Sequence, residues 1–202
     1  MFDLPLITYI ATMSVTPGPN NLMLAASGVN HGLRRTVPHM LGVSVGFGVQ
    51  AAIVCGTLAW AMTWLQTVRL PLMVIGCAYL LWLAWRQLKA GRPSAGGGDS
   101  KPLGFLGAAL FQWVNPKAWM FALNLGILFL PRNAGVATIL WMAFLSMLVG
   151  APCMAVWALT GDRLRRWLTR PRALLAFNGT MAVLLAMTAL WLMWDELRNV
   201  LG

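Results

Sequence analysis

Apolar residues gather into six runs, at about 4 to 27, 38 to 62, 69 to 88, 104 to 130, 134 to 158 and 173 to 194, separated by short polar or basic stretches. Each run reaches the roughly 20 residues that a helix needs to cross a bilayer. The pattern predicts an all-α integral membrane protein with six transmembrane helices. Two of the runs are interrupted in the middle, by Thr16-Pro17-Gly18-Pro19-Asn20-Asn21 in the first and by Trp113-Val114-Asn115-Pro116-Lys117-Ala118-Trp119 in the fourth. Proline removes a backbone donor and clashes with the preceding turn, so the helix is expected to unwind at both places. In hydrocarbon, freed N–H and C=O groups persist only where protein or a water-filled cavity satisfies them. Both breaks are therefore candidate cavity linings, with Pro17, Pro19, Pro116 and Gly18 as candidate hinges; static kinks are the alternative.

A Gly- and Ser-rich stretch divides the chain into three runs and three runs. The expected layout is a single membrane domain over 1–202, with repeat one at 1–91, a cytoplasmic linker at 92–103 and repeat two at 104–202. An odd number of spans in each half makes the halves cross in opposite senses, which is an inverted repeat, and the first helix of each repeat is the one broken at proline. Each break falls about 12 or 13 residues into its span, roughly 18 to 20 Å along the helix. Proline at the first helical position restarts each helix, and Asn115 is placed to cap the second restart. Such N-termini attract a carboxylate.

Lys117 is the charged side chain that falls well inside an apolar run, which makes it a functional hypothesis by default. The expected substrate-binding set is Lys117 with the two half-helix N-termini for a carboxylate, and Asn20, Asn21 and Asn115 for an amino group, completed by Thr16 and Gly18. Lys117 has two other uses, snorkelling and bonding exposed carbonyls. Trp113 and Trp119 bracket the second break, either as helix packing or, with Gln112, as a cavity wall. Gln50, Asn124, Asn178 and Thr180 can line a path or hydrogen-bond between helices, and Gly42, Ser44, Gly46 and Gly48 permit close helix packing or dimerisation.

Composition agrees with the pattern. Of 202 residues, 59% are hydrophobic and 10% charged, at a mean hydropathy of +0.70. The net charge of +10 is explained by orientation, and no nucleic-acid partner is expected. Arg34 and Arg35, then Arg86, Lys89, Arg92 and Lys101, then Arg163, Arg165, Arg166, Arg170 and Arg172 follow the odd-numbered runs, against Arg69, Arg132 and Arg198 after the even ones. The positive-inside rule then places both termini outside the cytoplasm. Trp60, Trp64, Trp191 and Trp194 fall near outer ends and Trp82, Trp85 and Trp167 near inner ones, as interfacial anchors do. The first run lacks the basic n-region of a signal peptide and is expected to be retained. Cys55, Cys77 and Cys153 read as buried hydrophobes. His31 and His39 fall in the first inner loop without a Cys, Asp or Glu at ligand spacing, so no metal site is expected. The linker glycines lack a following Gly-Lys-Ser/Thr, so direct coupling to ATP is not expected.

With Thr-Pro-Gly-Pro-Asn at 16 to 20, Asn-Pro-Lys-Ala-Trp at 115 to 119, a glycine-rich second span after His31-Gly32-Leu33-Arg34-Arg35, and Ala78-Tyr79-Leu80 in the third, the chain resembles the lysine exporter (LysE) family over nearly its whole length. The likeness is to its homoserine/threonine-resistance (RhtB) branch. It implies a multi-pass secondary exporter of amino acids or related metabolites in the bacterial inner membrane, not an enzyme, with the path between inverted halves, a homodimer, and no cofactor beyond the proton-motive force. Many relatives have Asp directly after Pro-Gly-Pro, where this chain has Asn20. All five acidic residues, Asp3, Asp99, Asp162, Asp195 and Glu196, fall in loops or at span ends, so no carboxylate relay is visible. A neutral substrate is favoured, because a second positive charge beside Lys117 would lack a buried counter-ion. A thiol relay resembling DsbD would need cysteines beside the breaks, where none lies. A passive channel is the other alternative.

Overall fold

The computed structural model describes residues 4–89, 102–131, 133–168 and 170–201, so most of the expected linker at 92–103 lies outside the described residues. Among them, all regular structure is helical: α1 (Leu4–Val15), α2 (Pro19–His31), α3 (Leu33–Gly56), α4 (Leu58–Lys89), α5 (Phe105–Phe111), a 3-10 turn (Gln112–Val114), α6 (Pro116–Phe129), α7 (Val136–Arg165) and α8 (Pro171–Leu201). Four stretches, Leu33–Gly56, Leu70–Lys89, Val136–Arg165 and Pro171–Asp195, are long and apolar enough to cross a membrane. The first and fourth apolar runs are divided, α1 from α2 and α5 from α6, at the two proline sites.

Two connections differ from expectation. The first inner loop shrinks to Gly32, whose φ of 80° is the left-handed conformation that glycine adopts without penalty. The first N–H of α3, on Leu33, is taken by Asp162 Oδ1 of α7 at 3.0 Å. α3 therefore starts at Leu33 rather than near 38, with Arg34 and Arg35 in its first turn. His31 ends α2, and His39 is a buried residue of α3 rather than a loop residue. The second difference is that α3 stops at Gly56 and helix resumes at Leu58, ahead of the connection expected beyond residue 62. The Thr57 hydroxyl donates to Ile53 O at 2.7 Å, competing locally with continuation of the helix.

Glycine governs the closest helix contacts. A Cβ on Gly28 of α2 would meet Ala158 O of α7, and one on Gly161 of α7 would meet Ala25 O of α2. Gly42 and Gly46 of α3 lie against Phe105 O and Ala109 of α5, so the small-residue series is engaged within the chain at these positions. Replacing Gly161 with valine is expected to wedge α2 from α7 at a cost of about 1–3 kcal/mol, the usual range for overpacking. A lowered melting temperature of the purified protein in detergent is the check. Apolar clusters fill the interior around Ile10, Leu125 and Leu145, and around Leu80, Phe111 and Leu185. The exterior carries exposed Leu148, Val136, Met187 and Leu190, with Trp82, Trp85, Trp167, Trp191 and Trp194 also exposed. Arg86 lies 4.9 Å over the Trp82 ring and Lys89 3.7 Å over Trp85, pairing basic and aromatic side chains at the end of α4.

Candidate functional site

The two proline breaks meet. Ending a helix inside an apolar body exposes its last carbonyls, and here each is claimed by a named side chain. Asn21 Nδ2 donates to Ser14 O at 2.9 Å and to Thr16 O at 2.8 Å. Trp157 Nε1 donates to Val15 O at 3.0 Å. Lys117 crosses from the other break and donates from Nζ to Thr16 O at 2.7 Å, Thr16 Oγ1 at 2.9 Å and Pro17 O at 3.3 Å. The ammonium thus caps the C-terminus of α1, a favourable place for a cation. Gly18 makes room for it, since a Cβ there would lie 2.9 Å from Lys117 Cδ.

The second break is closed in the same manner. Gln50 Nε2 of α3 donates to Gln112 O at 3.0 Å, and Trp119 Nε1 donates to Trp113 O at 2.8 Å. Asn115 Oδ1 accepts from the Lys117 N–H at 3.1 Å, the cap that its position predicts. Pro116 and Pro19 each sit at the start of the restarted helix. The residue after each proline reaches into the opposite break: Lys117 to Thr16, and Asn20, whose Nδ2 donates to Gln112 Oε1 at 2.9 Å. α6 has a side-chain cap, whereas α2 has none, so its first N–H groups are the open ones.

Around these contacts lies a cavity of ≈ 50 Å³. Its polar lining includes Gly18, Asn20, Asn21, Gln112, Asn115 and Lys117, all singled out from the sequence, together with Ser14, Ser44 and Ser146. Met13, Val43, Phe47, Phe121 and Met154 supply an apolar wall, with Phe47 stacked on Phe121 at 4.3 Å between centroids. Among the described residues, Lys117 is the one charged group in the lining. Thr16, Pro17, Pro19 and Pro116 shape the breaks without lining the cavity, and Trp113 and Trp119 pack edge to face at 5.9 Å in the apolar cluster around Leu125. Ser14 and Ser146 were missed, because a lone Ser in an apolar run is an ordinary helix residue, and Ser44 was read only as part of a small-residue packing series. Ser146 Oγ, for instance, donates to Met142 O one turn back at 2.8 Å and still keeps acceptor capacity.

Known proteins resemble the chain over most of its length. A cysteine/O-acetylserine efflux protein of Klebsiella pneumoniae subsp. pneumoniae is 33% identical over 163 residues, covering 79% of this chain and 82% of the relative. Proteins of the same description from Salmonella typhimurium and Escherichia coli K12 are 30% and 27% identical, with the same coverage of 79% and 82%. No solved structure matches the chain. The family described as LysE type translocator matches residues 11–196. On that match across nearly all of its length, the chain belongs to the LysE type translocator family and is a membrane transporter rather than an enzyme.

Proposed function

We propose that the protein is a secondary exporter of small neutral amino acids across the bacterial inner membrane, working by alternating access around the cavity at the two breaks. The single observation that carries the reading is the meeting of both breaks at a chamber whose one charged group, among the described residues, is Lys117. The three ammonium hydrogens rest on neutral oxygens, so its charge is uncompensated until an anion arrives. The substrate carboxylate supplies that charge, held by Lys117 and the open N-terminus of α2. The hydroxyls of Ser14, Ser44 and Ser146 accept from its amino group, and the Phe47–Phe121 wall takes a small side chain. When the ammonium turns toward the carboxylate it releases Thr16 O and Pro17 O, loosening the end of α1, so that binding biases the hinge. The names of the relatives point to substrates the size of cysteine and O-acetylserine. Energy comes from the proton-motive force, without a bound cofactor.

This reading includes six spans as two inverted repeats, α1–α4 and α5–α8, with α1/α2 and α5/α6 as the broken first spans. The packing supports it through its symmetry. α3 packs on α7 and α4 on α8, each helix on its own counterpart. α1 lies on α7 as α5 lies on α3, α2 on α7 as α6 on α3, and α2 on α8 as α6 on α4. Both termini are external in this arrangement. A reporter inserted at 94–100 is expected to respond as cytoplasmic and one after Gly202 as external; the reverse pair of signals would refute the orientation. The function is tested by loading cells with labelled amino acids and comparing efflux of each through wild type and a Lys117 variant. Equal efflux with and without the protein, for every amino acid, would remove the proposal.

A further inference from the structure

A second cavity, of ≈ 80 Å³, lies at the end of the molecule where α2 and α4 finish, lined among others by Ser27, Asn30, His31, His39, Arg86 and Gln87. His39 is only 2% exposed, and neither of its ring nitrogens has a hydrogen-bond partner. A buried imidazole without partners on either nitrogen is costly and demands an explanation. The polar groups around it are already joined to one another. Asn30 and Asn178 exchange hydrogen bonds at 2.9 and 3.0 Å, Gln87 Nε2 donates to Asn178 Oδ1 at 2.8 Å, and Ser27 pairs with Thr36 at 2.9 Å. These contacts fix the wall and leave His39 as the side chain with open valences. Among the described residues, the charged or titratable groups of the lining are His31, His39 and Arg86, with no carboxylate beside them. The nearby acid, Asp162, is turned to the Leu33 N–H at the start of α3. A lining of this charge selects an anion.

We propose that this second cavity is a separate binding site for the carboxylate of an amino acid, with His39 donating a hydrogen bond to it and Arg86 supplying the opposite charge. The site rests on the export reading for the identity of its ligand, and on the proposed orientation it opens toward the cytoplasm, ahead of the chamber at the breaks. The two chambers are stacked along α2 and α3. His39 lines one, and Val43, four residues or about 6 Å further along the helix, lines the other. An apolar cluster of Leu24, Val43, Ala108 and Met154 reaches the first chamber through Val43 and Met154, and Leu103 of the second cavity packs against it. A molecule held at His39 is thus one turn of α3 from the lining of the chamber at the breaks.

The chain contains only two histidines, so the imidazole NMR signals of His39 can be assigned in the purified protein by comparison with His31→Gln. In nanodiscs of neutral lipid, added L-serine, O-acetyl-L-serine or acetate is expected to shift the His39 signals, and ethanolamine, which lacks the carboxylate, is not. A Lys117→Met protein is expected to keep the His39 response. That result would separate this site from the chamber at the breaks, since either can fail alone. His39→Leu, which removes the unpartnered nitrogens and fills the space, is expected to raise the internal concentration giving half-maximal efflux about tenfold, the value of a hydrogen bond to a charged group, while the melting temperature holds or rises. The proposal is overturned if His39 responds to no carboxylate, responds equally to ethanolamine, moves only when anionic lipid is added, or if His39→Leu leaves half-saturation unchanged.

Discussion

Replacing Lys117 with methionine is expected to reduce amino-acid efflux from loaded cells at least thirtyfold, while the protein still inserts and purifies. The magnitude follows from removing one partner of a buried, hydrogen-bonded charge pair, which costs about 2 kcal/mol or more. Methionine keeps the stem that lies beside Gly18, so the loss is of charge and donors rather than of packing. The same ammonium caps α1 through Thr16 O and Pro17 O, and a purely structural role predicts a different outcome. In that case the melting temperature falls and efflux declines only with the amount of folded protein. Under the transport reading, efflux per inserted molecule collapses. Lys117→Arg is expected not to rescue, because the ammonium already fits between Thr16 and Gly18 and a longer, planar fork does not. Wild-type efflux per molecule in the methionine variant would end the proposal that Lys117 receives the carboxylate.

The membrane class and the two breaks were legible because both are written in local rules: run length against bilayer thickness, and proline against helix continuity. Asn115 as a cap was legible for the same reason, since capping is a relation between near neighbours. Partners across the chain were not. Nothing in the spacing says that Lys117 meets Thr16 or that Asn20 meets Gln112, because the periodicity of a helix fixes a face and leaves open what that face touches. The sequence reading assigned the three asparagines to an amino group. The fold engages Asn21 with Ser14 O and Thr16 O, Asn115 with the Lys117 N–H, and Asn20 with Gln112. Broken helices in an apolar body need such donors before a substrate does. His39 was misplaced for a simpler reason. Two arginines and a histidine around Gly32 look like a loop, yet one glycine at positive φ suffices for the connection, and the basic residues open the next helix instead.

Pro116→Ala is expected to lower efflux at least tenfold without preventing insertion, even though alanine is the better helix former. The residue before a proline is held out of the α region, and Asn115 shows the consequence with φ −89° and ψ 108°. This single extended residue separates the 3-10 turn from α6. Alanine lifts the restriction and restores a backbone N–H, so α5, the turn and α6 can join into one continuous helix. Straightening redirects every side chain beyond residue 115. Lys117 then leaves Thr16, Trp119 Nε1 leaves Trp113 O, and the Gln112 side chain is drawn away from Asn20. The expected protein is as stable as wild type or more so, but has lost the chamber. Pro152→Ala is the matching control, because Pro152 is exposed inside the continuous α7 and lines neither cavity. Its efflux is expected to stay within about twofold of wild type, as for a surface substitution away from any site. Measured together, efflux per inserted molecule and melting temperature separate the two roles of proline. If Pro116→Ala transports at the wild-type rate, the interrupted helix is not needed for transport, and the carboxylate site must be sought away from the breaks.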